Sequence, residues 1–191
     1  TQNMRGHTNS SNNTVFADSE GNIAYYHANF VPERDTRFDW RSPVDGSDPA
    51  TDWGEPISVE DSPNVFNPPN GWIQNTNNHP YSAAAEHSPE RDDYPPYMQR
   101  GGENARGVNA LRVFGSQGDF TMESLTEAAY DPYLSAFAEL VPRLVDAYDA
   151  APRESVAEQV GLLRAWNYEW GVESVETSLA VYWGEDLRRR G

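Results

Sequence analysis

The order of local signals along this chain constrains its fold more than any single residue does. A hairpin signal comes first, then a long stretch crowded with Asn, Pro, Asp, Ser and aromatic residues, and helical periodicity takes over in the second half. Strands at one end and helices at the other describe an α+β chain, because a doubly wound nucleotide-binding sheet needs alternating βαβ units. No Gly-rich phosphate loop of the required spacing is present, and Gly101-Gly102 is only a turn signal.

In detail, Thr14-Val15-Phe16-Ala17-Asp18 and Ile23-Ala24-Tyr25-Tyr26-His27-Ala28 are β-prone runs bridged by Ser19-Glu20-Gly21-Asn22, which reads as a hairpin. Pro32 to Pro69 carries prolines and turn residues with little periodicity, so it is expected to be a long excursion docked on something larger. Residues 79–100 form a second loop rich in Pro, Tyr and acids. Helical patterning starts near Glu103, and Thr121 is a suitable N-cap for Met122–Tyr130. Asp131-Pro132 is expected to open the next helix, with Pro in its first turn. Leu134, Phe137, Leu140, Val141, Leu144, Val145 and Tyr148 give that helix one apolar face, and Pro142 should kink it. Ser155–Trp166 and Val175–Arg188 are further helices. The expected division is a hairpin-and-loop region over 1–100 and a helical region over 101–191.

Charge narrows the partners. With 14 Lys+Arg against 30 Asp+Glu, the formal net charge is -16. Such a polyanion repels phosphate backbones, so no nucleic-acid partner is expected. The acids are scattered rather than in blocks, which describes a solvated surface. No cysteine is present, which removes disulfides, thiol nucleophiles and zinc–thiolate sites from this stretch. No apolar run approaches the ~18 residues of a membrane span, so no membrane partner is expected. The N-terminus carries no charged-then-apolar leader pattern, which places any signal peptide upstream.

Two stretches carry chemistry. Asn13-Thr14-Val15-Phe16-Ala17-Asp18-Ser19-Glu20-Gly21-Asn22-Ile23-Ala24-Tyr25 resembles the penicillin acylase segment N-x-x-x-A-D-x-x-G-N-I-x-Y. Farther on, Asn67-Pro68-Pro69-Asn70-Gly71-Trp72-Ile73-Gln74-Asn75-Thr76-Asn77-Asn78 is similar to the same family's N-P-x-x-G-x-I-x-N-x-N-N segment. Between them, Val31-Pro32-Glu33-Arg34 and Arg41-Ser42-Pro43-Val44-Asp45-Gly46 sit where members carry a P-x-R turn and an R-x-P-x-x-G turn. Order and spacing agree along residues 13–78.

The resemblance implies an N-terminal-nucleophile hydrolase with an αββα sandwich, of which this chain is an internal part of the β-subunit. Such enzymes cut themselves from a precursor into α and β chains. The first Ser of the β chain then attacks an amide with its own α-amine as base, a group whose reference pKa of ≈ 7.7–8.0 leaves it partly unprotonated near neutrality. Asn13 aligns with the oxyanion-hole asparagine, and a neutral amide suits the task because it donates without a full charge that would hold the ground state equally tightly. Arg34 best matches the arginine that orients this asparagine and tunes the α-amine; Arg41 is the alternative match. The Asn67–Asn78 segment reads as structural, its side chains bonding local backbone while Trp72 packs. Without the resemblance, Asn13 would read as a turn residue and Arg34 as half of a surface ion pair with Glu33 or Asp35.

The four histidines, His7, His27, His79 and His87, fall in no metal-binding spacing, and the turn at Asp18-Ser19-Glu20-Gly21 lacks the carboxylate series of a calcium loop. Relatives often bind Ca²⁺ mainly through residues outside this stretch, so the resemblance implies no cofactor in this chain and Ca²⁺ in the complete enzyme. It also implies a periplasmic or extracellular location. The partners are the remainder of the β-subunit, the α-subunit and a small acylated amide: a β-lactam side chain, an acyl-homoserine lactone or a lipopeptide. Trp166, Trp170 and Trp183 read as core or subunit interface.

No Ser opens the chain. Thr1 is rejected as the nucleophile because too little chain separates it from Asn13 to form the missing sheet strands. The chain ends at Arg188-Arg189-Arg190-Gly191 without the further region that family β-subunits carry, so it is expected to be one piece of a longer protein. The competing expectation is a non-catalytic acidic module with a structural or interaction role only.

Overall fold

The hairpin forms through the carboxylate of Asp18. In the computed structural model, which describes residues 12–27, 29–99 and 101–190, strand β1 (Thr14–Ala17) pairs antiparallel with β2 (Ile23–Tyr26). Asp18 Oδ1 accepts the backbone N–H groups of Glu20 and Asn22, each at 2.9 Å, and Oδ2 accepts Asn22 Nδ2 at 2.9 Å. Bonds from the Asn22 side chain and backbone hold the Asp18 carboxyl below its usual range. Gly21, at φ +86°, supplies the left-handed residue that the turn requires. Thr1 and His7 lie outside the described residues.

The described residues fall into two units, within 1–118 and 119–191. In the first, β3 (Asn64–Phe66) adds antiparallel to β2, giving the order β1-β2-β3. The strand escapes sequence reading because three residues are too few to display a period. As the central strand, β2 buries both faces. Tyr25 packs with Val65, Ala83 and Ala84, while Ala24 and Tyr26 pack with Val59 on the other side. The alternation of a strand divides these neighbours.

The excursion between β2 and β3 is held at its base by an isolated bridge, Pro32 to Pro56. Flanking bonds run from Ile57 N to Val31 O and from Glu33 N to Glu55 O, both 2.9 Å. Its acids serve as local turn formers. Asp35, Asp39, Asp45 and Asp48 each accept, through Oδ1, the backbone N–H two positions on, at 2.9–3.1 Å. Ile57, Tyr97 and Met98 form a further core with Val31, Trp40 and Tyr94. Helix α1 (Ala105–Ser116) follows, with Asn104 Oδ1 accepting Gly107 N at 3.0 Å as its N-cap.

The second unit contains α2 (Met122–Ala129), α3 (Ser135–Ala150), α4 (Ala157–Ala165) and α5 (Val175–Arg190). Thr121 caps α2 as expected, in a reciprocal capping box with Ser124. The expected helix start at Asp131-Pro132 is corrected: α3 begins at Ser135. Residues 131–134 are instead drawn into extended pairing. Leu134 N donates to Tyr168 O at 2.7 Å and Trp170 N to Pro132 O at 3.0 Å, around a Tyr133–Glu169 bridge. Backbone groups engaged in that pairing are not available to a helical turn. Pro142 lies on the exposed side of α3, and the helix continues on both sides of it. The core here is Val141, Leu163, Trp166 and Ala180, with Phe137, Leu144 and Trp183 packed against it. Trp166 and Trp183 are therefore core residues, whereas Trp170 is half exposed.

Candidate functional site

Asn13 stands immediately before β1, an outer strand of the described sheet. The hairpin register pairs Thr14 with Tyr26, and continuing it by one position sets Asn13 opposite His27. The two side chains meet: Asn13 Oδ1 lies 2.6 Å from His27 Nδ1. A carbonyl oxygen only accepts, so the ring nitrogen is the donor. Asn13 is partly buried, and its Nδ2 has no hydrogen-bond partner among the described residues. His27 is 4% exposed, and its backbone N–H donates to Pro63 O at 2.9 Å, beside β3. Burial lowers the His27 pKa below its ordinary value of 6.5, against an opposing hydrogen bond to the Met98 backbone.

Arg34 occupies the base of the excursion. Its backbone N–H donates to Tyr97 Oη at 3.0 Å. Its guanidinium carbon lies 4.6 Å from the ring centre of Trp53 and 5.6 Å from those of Trp40 and Tyr97. Such contacts are worth about 0.5–1 kcal/mol each at partly exposed positions. Arg34 Nε is buried without a hydrogen-bond partner among the described residues. The ion pair with Glu33 or Asp35 that a surface reading would give Arg34 is not formed: Asp35 pairs with Arg37 at 2.6 Å. No hydrogen bond joins Arg34 to Asn13 among the described residues.

Arg41 is placed differently. It is exposed and folds back on Asp39, with Nε to Oδ1 at 2.7 Å and a second bond to Oδ2 at 2.9 Å. That pairing raises the pKa of Arg41. With Arg37, Trp40 and Arg91 it lines an open groove of about 570 Å³. Asn13 and Arg34 are not in that lining.

Asn67 joins the two segments that carry the family resemblance. Asn67 Oδ1 accepts Ile23 N at 2.8 Å, and Asn67 Nδ2 donates to Asn22 Oδ1 at 2.8 Å. The rest of the second segment is scaffold. Asn70 Nδ2 donates to Ala84 O at 3.1 Å, Gln74 Nε2 to Ser82 O at 2.8 Å, and Trp72 stacks on Phe114 at 5.1 Å. Asn78 Nδ2 donates to both oxygens of Glu103, at 2.9 and 3.1 Å, and Ser82 Oγ donates to Oε2 at 2.5 Å. His79 lies 3.9 Å from the same carboxylate, and its Nδ1 accepts Tyr81 N at 3.1 Å. Desolvation lowers its pKa, although Glu103 acts in the opposite direction.

Among the described residues no group of three or more His, Asp or Glu gathers with metal-holding geometry. The Asp18 oxygens are already taken up by N–H donors. Among the described residues no helix is long and apolar enough to cross a membrane.

Sequence reading weighed His27 only as a metal ligand and missed its contact with Asn13. Its signal was available in the hairpin, because a two-strand register fixes which side chains stand opposite each other.

Comparison with known proteins identifies the family. Over 68 residues the chain is 41% identical to penicillin G acylase from Escherichia coli, which covers 36% of this chain and 8% of that protein. It is similar in fold to a thermostable penicillin G acylase from Alcaligenes faecalis, with a TM-score of 0.58 at 22% identity, over 84% of this chain and 28% of that one. The chain thus spans a small part of the length of the relatives it matches. The family model for penicillin amidase matches residues 1–191, and the chain belongs to the penicillin amidase family.

Proposed function

We propose that this chain is part of the β-subunit of a penicillin-acylase-type amidohydrolase, and that Asn13 is its oxyanion donor. The observation that carries this reading is the posture of Asn13. Its carbonyl end is tied to a buried side chain just past the neighbouring strand, and its Nδ2 is left without a partner among the described residues, as suits a preorganised donor.

In the proposed mechanism the N-terminal Ser lies in polypeptide outside this chain and attacks the amide carbon of a small acylated substrate with its α-amine as base. As the carbonyl oxygen gains charge, Asn13 Nδ2–H donates to it. The amide is already oriented, so no reorganisation is needed as the charge develops. Arg34, clamped at its backbone by Tyr97 and at its guanidinium by aromatic rings, keeps a fixed positive charge, which the resemblance assigns to tuning of the α-amine. Arg41 is assigned no such role, since its guanidinium is spent on Asp39. The sheet described here forms one part of an αββα sandwich completed by the remainder of the β-subunit and by the α-subunit. The location is periplasmic or extracellular.

The test is Asn13→Ala in the complete enzyme. kcat should fall about 10²–10³-fold, with KM little changed. Turnover close to that of the parent would reject the assignment.

A further inference from the structure

From the Asn13–His27 contact we infer that His27 is a positioning residue, which sets the end of the Asn13 amide that faces the reacting carbonyl. The inference rests on the assignment of Asn13 as oxyanion donor.

An asparagine side chain has two ends of similar shape and opposite hydrogen-bonding sense. Turned one way it presents Nδ2–H, a donor; turned the other way it presents Oδ1, an acceptor that would repel a developing oxyanion. Nothing in the backbone of a residue preceding an outer strand selects between them. The selection must come from a side-chain neighbour, and His27 is the neighbour hydrogen-bonded to Asn13.

Three observations suit His27 to this task. Continuing the hairpin register by one position sets it across from Asn13, so pairing of β1 with β2 brings the two residues together. The ring is fixed: it is almost wholly buried, its backbone is tied to Pro63, and Asn29 Nδ2 lies 3.3 and 3.4 Å from its two nitrogens. The 2.6 Å contact is made by Nδ1 to Oδ1, which leaves Nδ2 of Asn13 pointing away.

Proton placement then matters. Burial favours the neutral ring, which carries a single proton that either nitrogen can hold. A proton on Nδ1 holds Oδ1 inward and Nδ2 outward. A proton on Nε2 alone would let the amide reverse and present its oxygen. The Nδ1–H form is the productive one, and the Nδ1–Oδ1 contact fits it.

The experiment compares His27→Phe and His27→Asn with Asn13→Ala and the double variant Asn13→Ala/His27→Phe, all in the complete enzyme, with thermal unfolding recorded for each. Phe fills the ring volume without a donor, whereas Asn places an Nδ2–H near the position of Nδ1. His27→Phe should lower kcat about 10–100-fold at nearly constant KM, as misplacement of a catalytic donor does. His27→Asn should recover most of that loss, and His27→Phe should cost nothing further once Asn13 is Ala.

A normal kcat for His27→Phe beside a crippled Asn13→Ala overturns the positioning role and leaves Asn13 in place. A loss that persists in the Asn13→Ala background, or that His27→Asn does not relieve, also overturns it and marks His27 as structural. Normal turnover of Asn13→Ala removes the oxyanion assignment and this inference with it.

Discussion

The hydroxyl of Tyr97 accepts the backbone N–H of Arg34 at 3.0 Å, joining the base of the long excursion to a residue far along the chain. The same tyrosine ring stands 5.6 Å from the Arg34 guanidinium and belongs to the core with Ile57 and Met98. One side chain therefore fixes both the main chain and the side chain of Arg34. Tyr97→Phe keeps the ring and deletes the acceptor, so it should cost about 0.5–1.5 kcal/mol in urea unfolding. Tyr97→Ala should cost distinctly more, because the packing goes as well. Equal losses for the two variants would show that the hydroxyl carries all of the effect.

Asn67 combines two hydrogen bonds with a left-handed backbone, at φ +46°. Asn67→Ala loses the bonds and leaves a Cβ in a left-handed backbone that Asn tolerates better than Ala, at a combined cost of about 2–3 kcal/mol. Asn67→Gly loses the same bonds without that strain and should be the milder variant. Denaturant midpoints measured side by side decide the order, and an Ala variant as stable as Gly would remove the backbone argument.

Stability should depend on pH through the desolvated histidines. Both His27 and His79 have pKa values lowered by desolvation from an ordinary 6.5, so near that pH the unfolded chain binds more protons than the folded one. Their contribution is complete above pH 6.5 and declines as pH falls from there towards the lowered folded values. Asp18, Asp35, Asp45 and Asp149 act in a separate window, below their ordinary 3.8, because their folded values are also lowered. His79→Asn keeps an acceptor for Tyr81 N and removes the titration, so its unfolding free energy should vary less between pH 7 and 5. An unchanged slope would exclude His79 from the acid sensitivity.

Trp166 anchors the second unit. It packs 5.8 Å from Phe137 and 5.6 Å from Tyr168, and its Nε1–H donates to Glu169 O at 3.0 Å. Trp166→Ala should cost about 3–5 kcal/mol. Trp166→Phe, which keeps an aromatic ring and loses the donor, should fall between the parent and Ala in thermal unfolding. Retention of the parent midpoint by the Ala variant would show that the helices of this unit are held by other contacts.

Gly107 tests the network around Glu103. An added Cβ would collide with the Glu103 carboxylate and approach Asn78 Nδ2 to 2.9 Å. Gly107→Ala should therefore destabilise by about 1–3 kcal/mol despite the better helix propensity of Ala. A stabilised variant would mean that Glu103 swings aside without loss.

What the sequence determined by itself was local. The hairpin was readable because two β-prone runs flank Asp18 to Asn22, and that turn is closed by a side chain within reach of its own backbone. The cap at Thr121 and the apolar face of α3 were readable for the same reason, since their periods and spacings span only a few residues. Family membership was legible because residues 13–78 carry a pattern in order, and the family model matches the whole chain. Tertiary structure alone decided the rest. The three residues of β3 have no period of their own and become a strand because β2 offers a free edge. Residues 131–134 gave up a helical turn for pairing with 168–170, a competition between distant backbone groups that no local propensity records. Arg34 and Arg41 look alike in sequence, yet one is enclosed by aromatic rings and the other is folded onto Asp39. Hydrogen bonds and desolvation act between groups brought together by folding, so which of two similar cations is held in a fixed environment is settled only in three dimensions.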